Sequence, residues 1–158
     1  MVADLIDVLS AADDRIEVIT LVVKDVEFCI DIRAVREIRG WTPATPVPHS
    51  PDYVQGVINL RGAVMPVVDL AARLGLGLTE PGSRHVIVVA QCAGRLAGLL
   101  VDGVSETFHA AEAQFQAPPA VCDQAGSAVV DAILPVDGRM ISRLVVDRLI
   151  HQDQALAA

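Results

Sequence analysis

Rings are scarce in this chain: aromatic residues make up 3% of it, against 53% for hydrophobic residues of all kinds. A core must therefore be filled by Val, Ile, Leu and Ala, whose β-branched members favour strands. Aromatic platforms for sugars or nucleobases are not available in quantity. Basic charge is short as well. Lys and Arg number 12 against 20 Asp and Glu, for a formal net charge of −8. The concentrated cationic surface that phosphate contacts require is missing, which excludes nucleic acid as the expected partner. Cys29, Cys92 and Cys122 are odd in number, far apart and without Cys-x-x-Cys spacing, so no disulfide framework or zinc knuckle is indicated and a reducing cytoplasm fits. No apolar run approaches the ~20 residues that span a bilayer. Met1 to Ala12 opens acidic rather than basic, so neither export nor membrane insertion is expected.

Catalytic patterns are missing too. His49, His85, His109 and His151 stand in unrelated contexts, and there is no Gly-x-Ser-x-Gly elbow. Gly94 to Gly98 lacks the Lys-Ser/Thr end of a phosphate loop and falls inside a strand-turn-strand pattern. His49 has no second metal ligand beside it. Asp31, Asp69, Asp102 and Asp131 are the remaining candidates for a carboxylate site holding a divalent ion, yet each falls at a strand end, where Asp commonly makes a local turn. The expectation is a chain with no catalytic residues, no cofactor and no metal site, whose work is done by its surface.

A chain of 158 residues can bury roughly 68–70% of its unfolded surface, in one domain or two small lobes. Its organising stretch is Val57 to Leu70. Two apolar runs flank Asn59-Leu60-Arg61-Gly62, the composition of a tight reversal between antiparallel strands. Arg61 is the odd member: a guanidinium beside Val/Ile-rich strands must reach water, find a carboxylate or present itself to another molecule.

In chain order, Val2, Leu5, Ile6, Leu9 and Ala12 recur at helical spacing and predict a short amphipathic helix. Ile16 to Val23, a turn at Lys24-Asp25 and Val26 to Ile32 predict a strand pair. Ala34 to Arg39 continues with Val35 and Ile38 inward and Arg36, Glu37 and Arg39 available to solvent or to each other. Four prolines between Trp41 and Pro51 rule out a central strand and predict an ordered loop. Asp69 to Leu74 reads as a turn of helix stopped at Gly75, and Gly77 to Gly82 as a linker. Arg84 to Ala90 predicts a strand buried on both faces, returning after Gly94-Arg95 as Leu96 to Val101. Ala110 to Gln116 reads as weakly helical, closed by Pro118-Pro119. Val129 to Leu134, Asp137-Gly138 and Arg139 to Leu144 give a last strand, turn and strand, with a short helix at Val146 to Ile150 and a loose tail.

The chain also repeats itself. Phe28 to Glu37 aligns with Ala97 to Glu106 at a shift of 69, bringing Val35-x-Glu37 onto Val104-x-Glu106. Val57 to Met65 aligns with Ile133 to Ile141 at a shift of 76, bringing Gly62 onto Gly138. Two similar all-β lobes are implied, with a groove between them suited to a helical partner. The expected organisation is a helix or tail over residues 1–14, one domain over 15–151 with lobes at about 15–79 and 80–151, and a tail over 152–158.

With Val35-Arg36-Glu37-Ile38, the proline loop, Gly56 to Gly62, Met65-Pro66-Val67-Val68-Asp69-Leu70 and Val101-Asp102-Gly103-Val104 in view, the sequence resembles the CheW family of bacterial chemotaxis coupling proteins. The similarity runs from about Ile16 to Ile150. It implies a mainly β fold of two SH3-like five-stranded barrels with short helices. It further implies a cytoplasmic adaptor joining the histidine kinase CheA to the cytoplasmic tips of methyl-accepting chemotaxis receptors. Carried over residue by residue, it points to Arg61 and Glu37 as a pair meeting across the first lobe, with Asn59 as a further partner-binding candidate and Val35, Leu60 and Val104 as candidates if open to a groove and core residues otherwise. Ala71 stands where the family often has Arg, Ser142-Arg143 interrupts a usually apolar last strand, and Val145 replaces a commonly polar residue. Two rival readings are an adaptor of another motility or second-messenger pathway and a metal-dependent enzyme using the strand-end aspartates.

Overall fold

Three of the hairpins close through two-residue turns whose central residues both have positive φ: Lys24-Asp25 (51° and 65°), Arg61-Gly62 (53° and 88°) and Asp137-Gly138 (48° and 81°). This is the type I′ turn, whose twist matches that of the strands it joins. The computed structural model, which describes residues 15–92, 94–118 and 129–151, runs twice through the order hairpin, single strand, hairpin. The order is β1 (Arg15–Val23), β2 (Val26–Asp31), β3 (Val35–Gly40), β4 (Val54–Leu60), β5 (Ala63–Asp69), helix α1 (Leu70–Arg73), β6 (Val86–Cys92), β7 (Arg95–Val101), β8 (Gly103–Ala111), β9 (Val130–Val136), β10 (Arg139–Leu144) and helix α2 (Val146–His151). The predicted helix at the N-terminus and the tail lie outside the described residues.

The strands form two five-stranded sheets, one in the order β8-β1-β2-β10-β9 and the other in the order β3-β6-β7-β5-β4. The first, built from both ends of the chain, is the terminal lobe, and the second is the middle lobe. The lobes are therefore not successive halves: the division near residues 79 and 80 is corrected by the sheet order. The repeat itself is real in the ladders. Val35 pairs with Ala90 as Val104 pairs with Leu21, and Leu60 with Ala63 as Val136 with Arg139, under the same shifts of 69 and 76 read from the sequence. Each sheet takes a hairpin from one copy (β1–β2 or β6–β7) and three strands from the other (β8–β10 or β3–β5), joined by short parallel ladders between β10 and β2 and between β5 and β7.

Alternation along the strands fills three cores. Ile87 and Val89 of β6 face the interior of the middle lobe with Ile58, Leu60, Met65 and Leu100. Val88 and Ala90 face the other way, into a core shared with Ile19, Leu21 and Ile30 of the terminal lobe. Val18, Cys29, Leu134 and Ile141 line the terminal lobe's own interior. Burial on both faces is why β6 reads as an unbroken Val/Ile run.

Three local expectations are corrected. Ile38 points out and is 46% exposed, because it lies an odd number of residues from Val35 and so faces the opposite side of the strand. Ala110 belongs to β8, a strand absent from the sequence reading, and only Glu112–Gln114 form a single 3-10 turn. Finally, β9 runs on to Val136.

Candidate partner-binding face

The β4–β5 turn is locked from inside. The side-chain oxygen of Asn59 accepts from the Gly62 N–H at 2.8 Å, which fixes the backbone on which Arg61 is carried. Arg61 then reaches across the lobe, its Nη2 donating to Glu37 Oε2 of β3 at 2.5 Å. Strands β3 and β4 are the two edges of the middle sheet, so this pair bridges the seam where the sheet curls towards closure. The Arg61 side chain is nonetheless 76% exposed, against 24% for Glu37. An exposed pair of this kind contributes only about 0–1 kcal/mol. The other carboxylate oxygen of Glu37 lies 3.8 Å from Arg39 Nη1.

Around this pair the face is partly apolar. Val64, opposite Asn59 in the ladder, is 72% exposed. A hollow of about 340 Å³ opens beside it, with Arg39, Thr42, Thr45 and Asn59 as its polar lining and Val57 and Val64 among its apolar walls. The proline loop forms one side of the hollow, held by the paired Thr45 and Val57 backbones at 2.8 Å. Gly56 permits that approach: its φ is 144°, and a Cβ there would drive into the Thr45 carbonyl.

Of the residues singled out from the sequence, the structure brings together Arg61, Glu37 and Asn59. Val35 and Val104 occupy equivalent positions in the two lobes and are both half-buried against the shared core. Leu60 is 6% exposed and packs inside the middle lobe, as a core residue and not as a contact open to a groove, since it alternates with the outward Asn59. Sequence reasoning missed Val64 and Arg39. The signal was present for Val64, because its neighbour Met65 is 1% exposed and adjacent strand residues face opposite ways.

The strand-end aspartates do not converge. Asp31 receives the Arg33 guanidinium, whose hydrogen bond holds its carboxyl below the usual carboxylate range. Asp69, fully buried, accepts from the Thr79 N–H and hydroxyl, both at 2.7 Å, and caps α1. Asp102 accepts from the Lys24 N–H and faces buried His85. Asp131 pairs with Arg143 at 2.8 Å. Among the described residues no three metal-ligating side chains come together. Arg143, the charge that interrupts the last strand, also pairs with Glu112 and lies 4.3 Å over the Phe115 ring. Burial pushes the neighbouring Cys29 thiol up to about 12, with the Arg143 charge working against that rise.

A family model described as a CheW-like domain matches residues 17–154. The chain belongs to the CheW family. It is 49% identical over 142 residues to the chemotaxis protein CheW of Rhizobium meliloti, covering 90% of this chain and 92% of that protein. It is 46% identical, with the same coverage, to the probable chemotaxis protein CheW of Rhizobium etli. Its fold matches the crystal structure of the scaffolding protein TtCheW from Thermoanaerobacter tengcongensis with a TM-score of 0.76 at 30% identity, over 82% of this chain and 88% of that one. The two sheets are thus the two SH3-like subdomains of a CheW fold. Among the described residues no helix is long and apolar enough to cross a membrane.

Proposed function

We propose that this chain is a non-catalytic adaptor of bacterial chemotaxis, working in the cytoplasm, which couples the tips of chemoreceptors to the histidine kinase CheA. Its action is to hold both partners at once, raising their effective concentration for each other and fixing their geometry. Control of the kinase then comes from shifts among the populations of the assembled complex, with no reaction on this chain. Family membership over nearly the whole chain supports the reading, and one local observation carries the site. Arg61 occupies a left-handed backbone position, at φ 53°, that Asn or Gly adopts more easily. It holds there a mostly exposed pair of little worth to stability. Folding alone does not account for an arginine at that turn, whereas display to a partner does. Arg61, Glu37 and Asn59 form the docking face, with Val35 and Val104 at its margins beside the shared core.

The test is co-sedimentation of the full chain with receptor-tip fragments and CheA. Arg61→Glu is expected to lose the complex while its circular dichroism spectrum stays that of the parent. Undiminished binding by that variant removes Arg61 from the interface, and failure of the parent chain to bring kinase and receptor down together ends the adaptor reading.

A further inference from the structure

The repeat allows the hollow to be compared with its counterpart in the other lobe. At the shifts of 69 and 76, Arg39 corresponds to Phe108, Thr42 to Ala111, Asn59 to Pro135 and Val64 to Met140. In the terminal lobe Phe108 packs against the lobe's own core, and the Arg139 guanidinium lies 5.8 Å from its ring. In the middle lobe an arginine stands in place of that ring, beside a hollow of about 340 Å³ with polar lining. The substitution runs against what packing alone favours, which is to fill space with apolar side chains.

Arg39 is also incompletely paired. Its Nε is buried without a hydrogen-bond partner among the described residues, and its nearest carboxylate oxygen, on Glu37, is 3.8 Å from Nη1. That carboxylate is already committed to Arg61 at 2.5 Å. Two guanidinium groups thus share one carboxylate, leaving the cluster of Arg39, Arg61 and Glu37 at a net charge of +1 in a chain whose total is −8. The Arg39 side chain as a whole is 35% exposed, so an incoming ligand meets its terminal N–H groups and not the buried Nε, and a guanidinium fork is best satisfied by two oxygens of one carboxylate.

We infer that the hollow beside Arg39 is a subsite for one carboxylate side chain, a glutamate on a partner helix, with Arg39 as its counter-ion and Thr42, Thr45 and Asn59 as flanking polar groups. The exposed Val64 takes an apolar residue one turn along the same helix. A single net positive charge matches a monoanion better than a phosphate. This deepens the adaptor reading, since it rests on this face being the one that docks a partner.

The probe is a capped, alanine-rich helical peptide carrying one Glu with a Leu four positions on, titrated against the isotope-labelled full chain by NMR, beside its Glu-to-Gln counterpart. The Glu peptide is expected to shift the backbone amides of Thr42, Thr45 and Asn59 and to bind about fivefold more tightly than the Gln peptide, the upper end for an exposed ion pair. Arg39→Gln should abolish that difference and Arg39→Lys should keep part of it, both with the dispersed spectrum of the folded parent. Equal binding of the two peptides, undisturbed amides at the hollow, or a difference that survives in Arg39→Gln overturns the inference. Displacement of the Glu peptide by inorganic phosphate at concentrations similar to the peptide's own Kd overturns the carboxylate assignment. Because the assay contains neither kinase nor receptor, its failure is separate from failure of the co-sedimentation that tests the adaptor reading.

Discussion

Inside the terminal lobe, Val18, Cys29 and Ile141 lie together; at the corresponding positions of the middle lobe stand Ile87, Gly98 and Met65. The exchange conserves volume. A Cβ on Gly98 would come within 2.7 Å of Ile87 Cγ2 and 3.1 Å of Met65 Cε, so the larger pair is accommodated because the third member has no side chain. The seams differ more. The two repeated glutamates, Glu37 and Glu106, each take an arginine, but from different places: Arg61 on the turn itself in the middle lobe, Arg139 at the start of β10 in the terminal lobe. Arg139 is further tied to Glu27 at 2.9 Å and stacked on Phe108, whereas Arg61 has Glu37 as the acid within reach and stays largely in water. One plan thus carries a doubly paired, ring-stacked arginine on one side and a cationic tip beside a hollow on the other.

The comparison breaks hardest at what the lobes have in common. Leu99 is fully buried in the shared core, and Leu99→Ala is expected to cost about 2–5 kcal/mol. Because each sheet borrows strands from both repeats, the loss should fall on both lobes at once. Trp41, the chain's one tryptophan, packs in the middle lobe, so its fluorescence follows that lobe while far-UV circular dichroism follows both. Urea transitions by the two probes should coincide in parent and variant. Separated midpoints would show lobes that unfold independently.

A smaller effect sharpens the difference between the lobes. Gly56 and Ala132 are counterparts on β4 and β9, and each strand is bridged next door by an incoming segment, Thr45 to Val57 and Gln116 to Ile133. Only Gly56 has the left-handed φ and the Thr45 carbonyl where a methyl would go. Gly56→Ala is therefore expected to destabilise by about 1–3 kcal/mol, and Ala132→Gly by about 0.5–1 kcal/mol, from backbone entropy. Thermal melts that rank the two the other way would mean that the loop does not press on β4 as described.

Arg143 tests the terminal lobe's polar seal. Its counterpart Val67 is an interior residue of the middle lobe, yet Arg143 is 16% exposed with two acids and a ring around its guanidinium. Loss of those contacts in Arg143→Ala should cost about 1–2 kcal/mol, reduced by the exposure of Glu112 and Asp131. Denaturant unfolding in low and high salt gauges the ionic part, since the pairs to exposed Glu112 and Asp131 are screened more than the short-range contact with the ring.

Much of this was legible in the sequence because strand hairpins announce themselves locally: alternating Val and Ile around Arg61-Gly62 and Asp137-Gly138 place turn, register and inward face together. The exchange of strands between lobes was not legible. A repeat shows that β3 resembles β8, but not that β3 pairs with β6 while β8 pairs with β1, since Leu21 and Ala90 are both apolar neighbours that suit a valine. The Arg61–Glu37 pair was readable through the family motif. The hollow was not, because it depends on the absence of a ring at Arg39, which becomes visible only when the two lobes are superposed in register. Strand β8 was missed because Ser105, Glu106 and Thr107 are all exposed, which hides the alternation that marks a half-buried strand.

The smallest stability effect carries the most about function. At Arg61 the backbone favours Asn, which tolerates a left-handed φ, over Arg. Arg61→Asn therefore relieves the turn while giving up a pair worth about 0–1 kcal/mol. The two effects oppose each other, so the melting midpoint should stay within the range of a neutral surface change, about 0.5 kcal/mol either way. Among the described residues Glu37 would then keep Arg39 as its cationic neighbour, at 3.8 Å. If Arg61 is there for display, co-sedimentation with receptor-tip fragments and kinase should fall sharply in a protein as stable as its parent. If it is there for the seam, stability should drop and binding should follow only in proportion to the folded fraction. The corresponding change in the other lobe, Arg139→Asn, removes the ties to Glu27 and Glu106 and the stacking on Phe108. That variant should show the reverse order: the melt moves first, and binding is affected only through it.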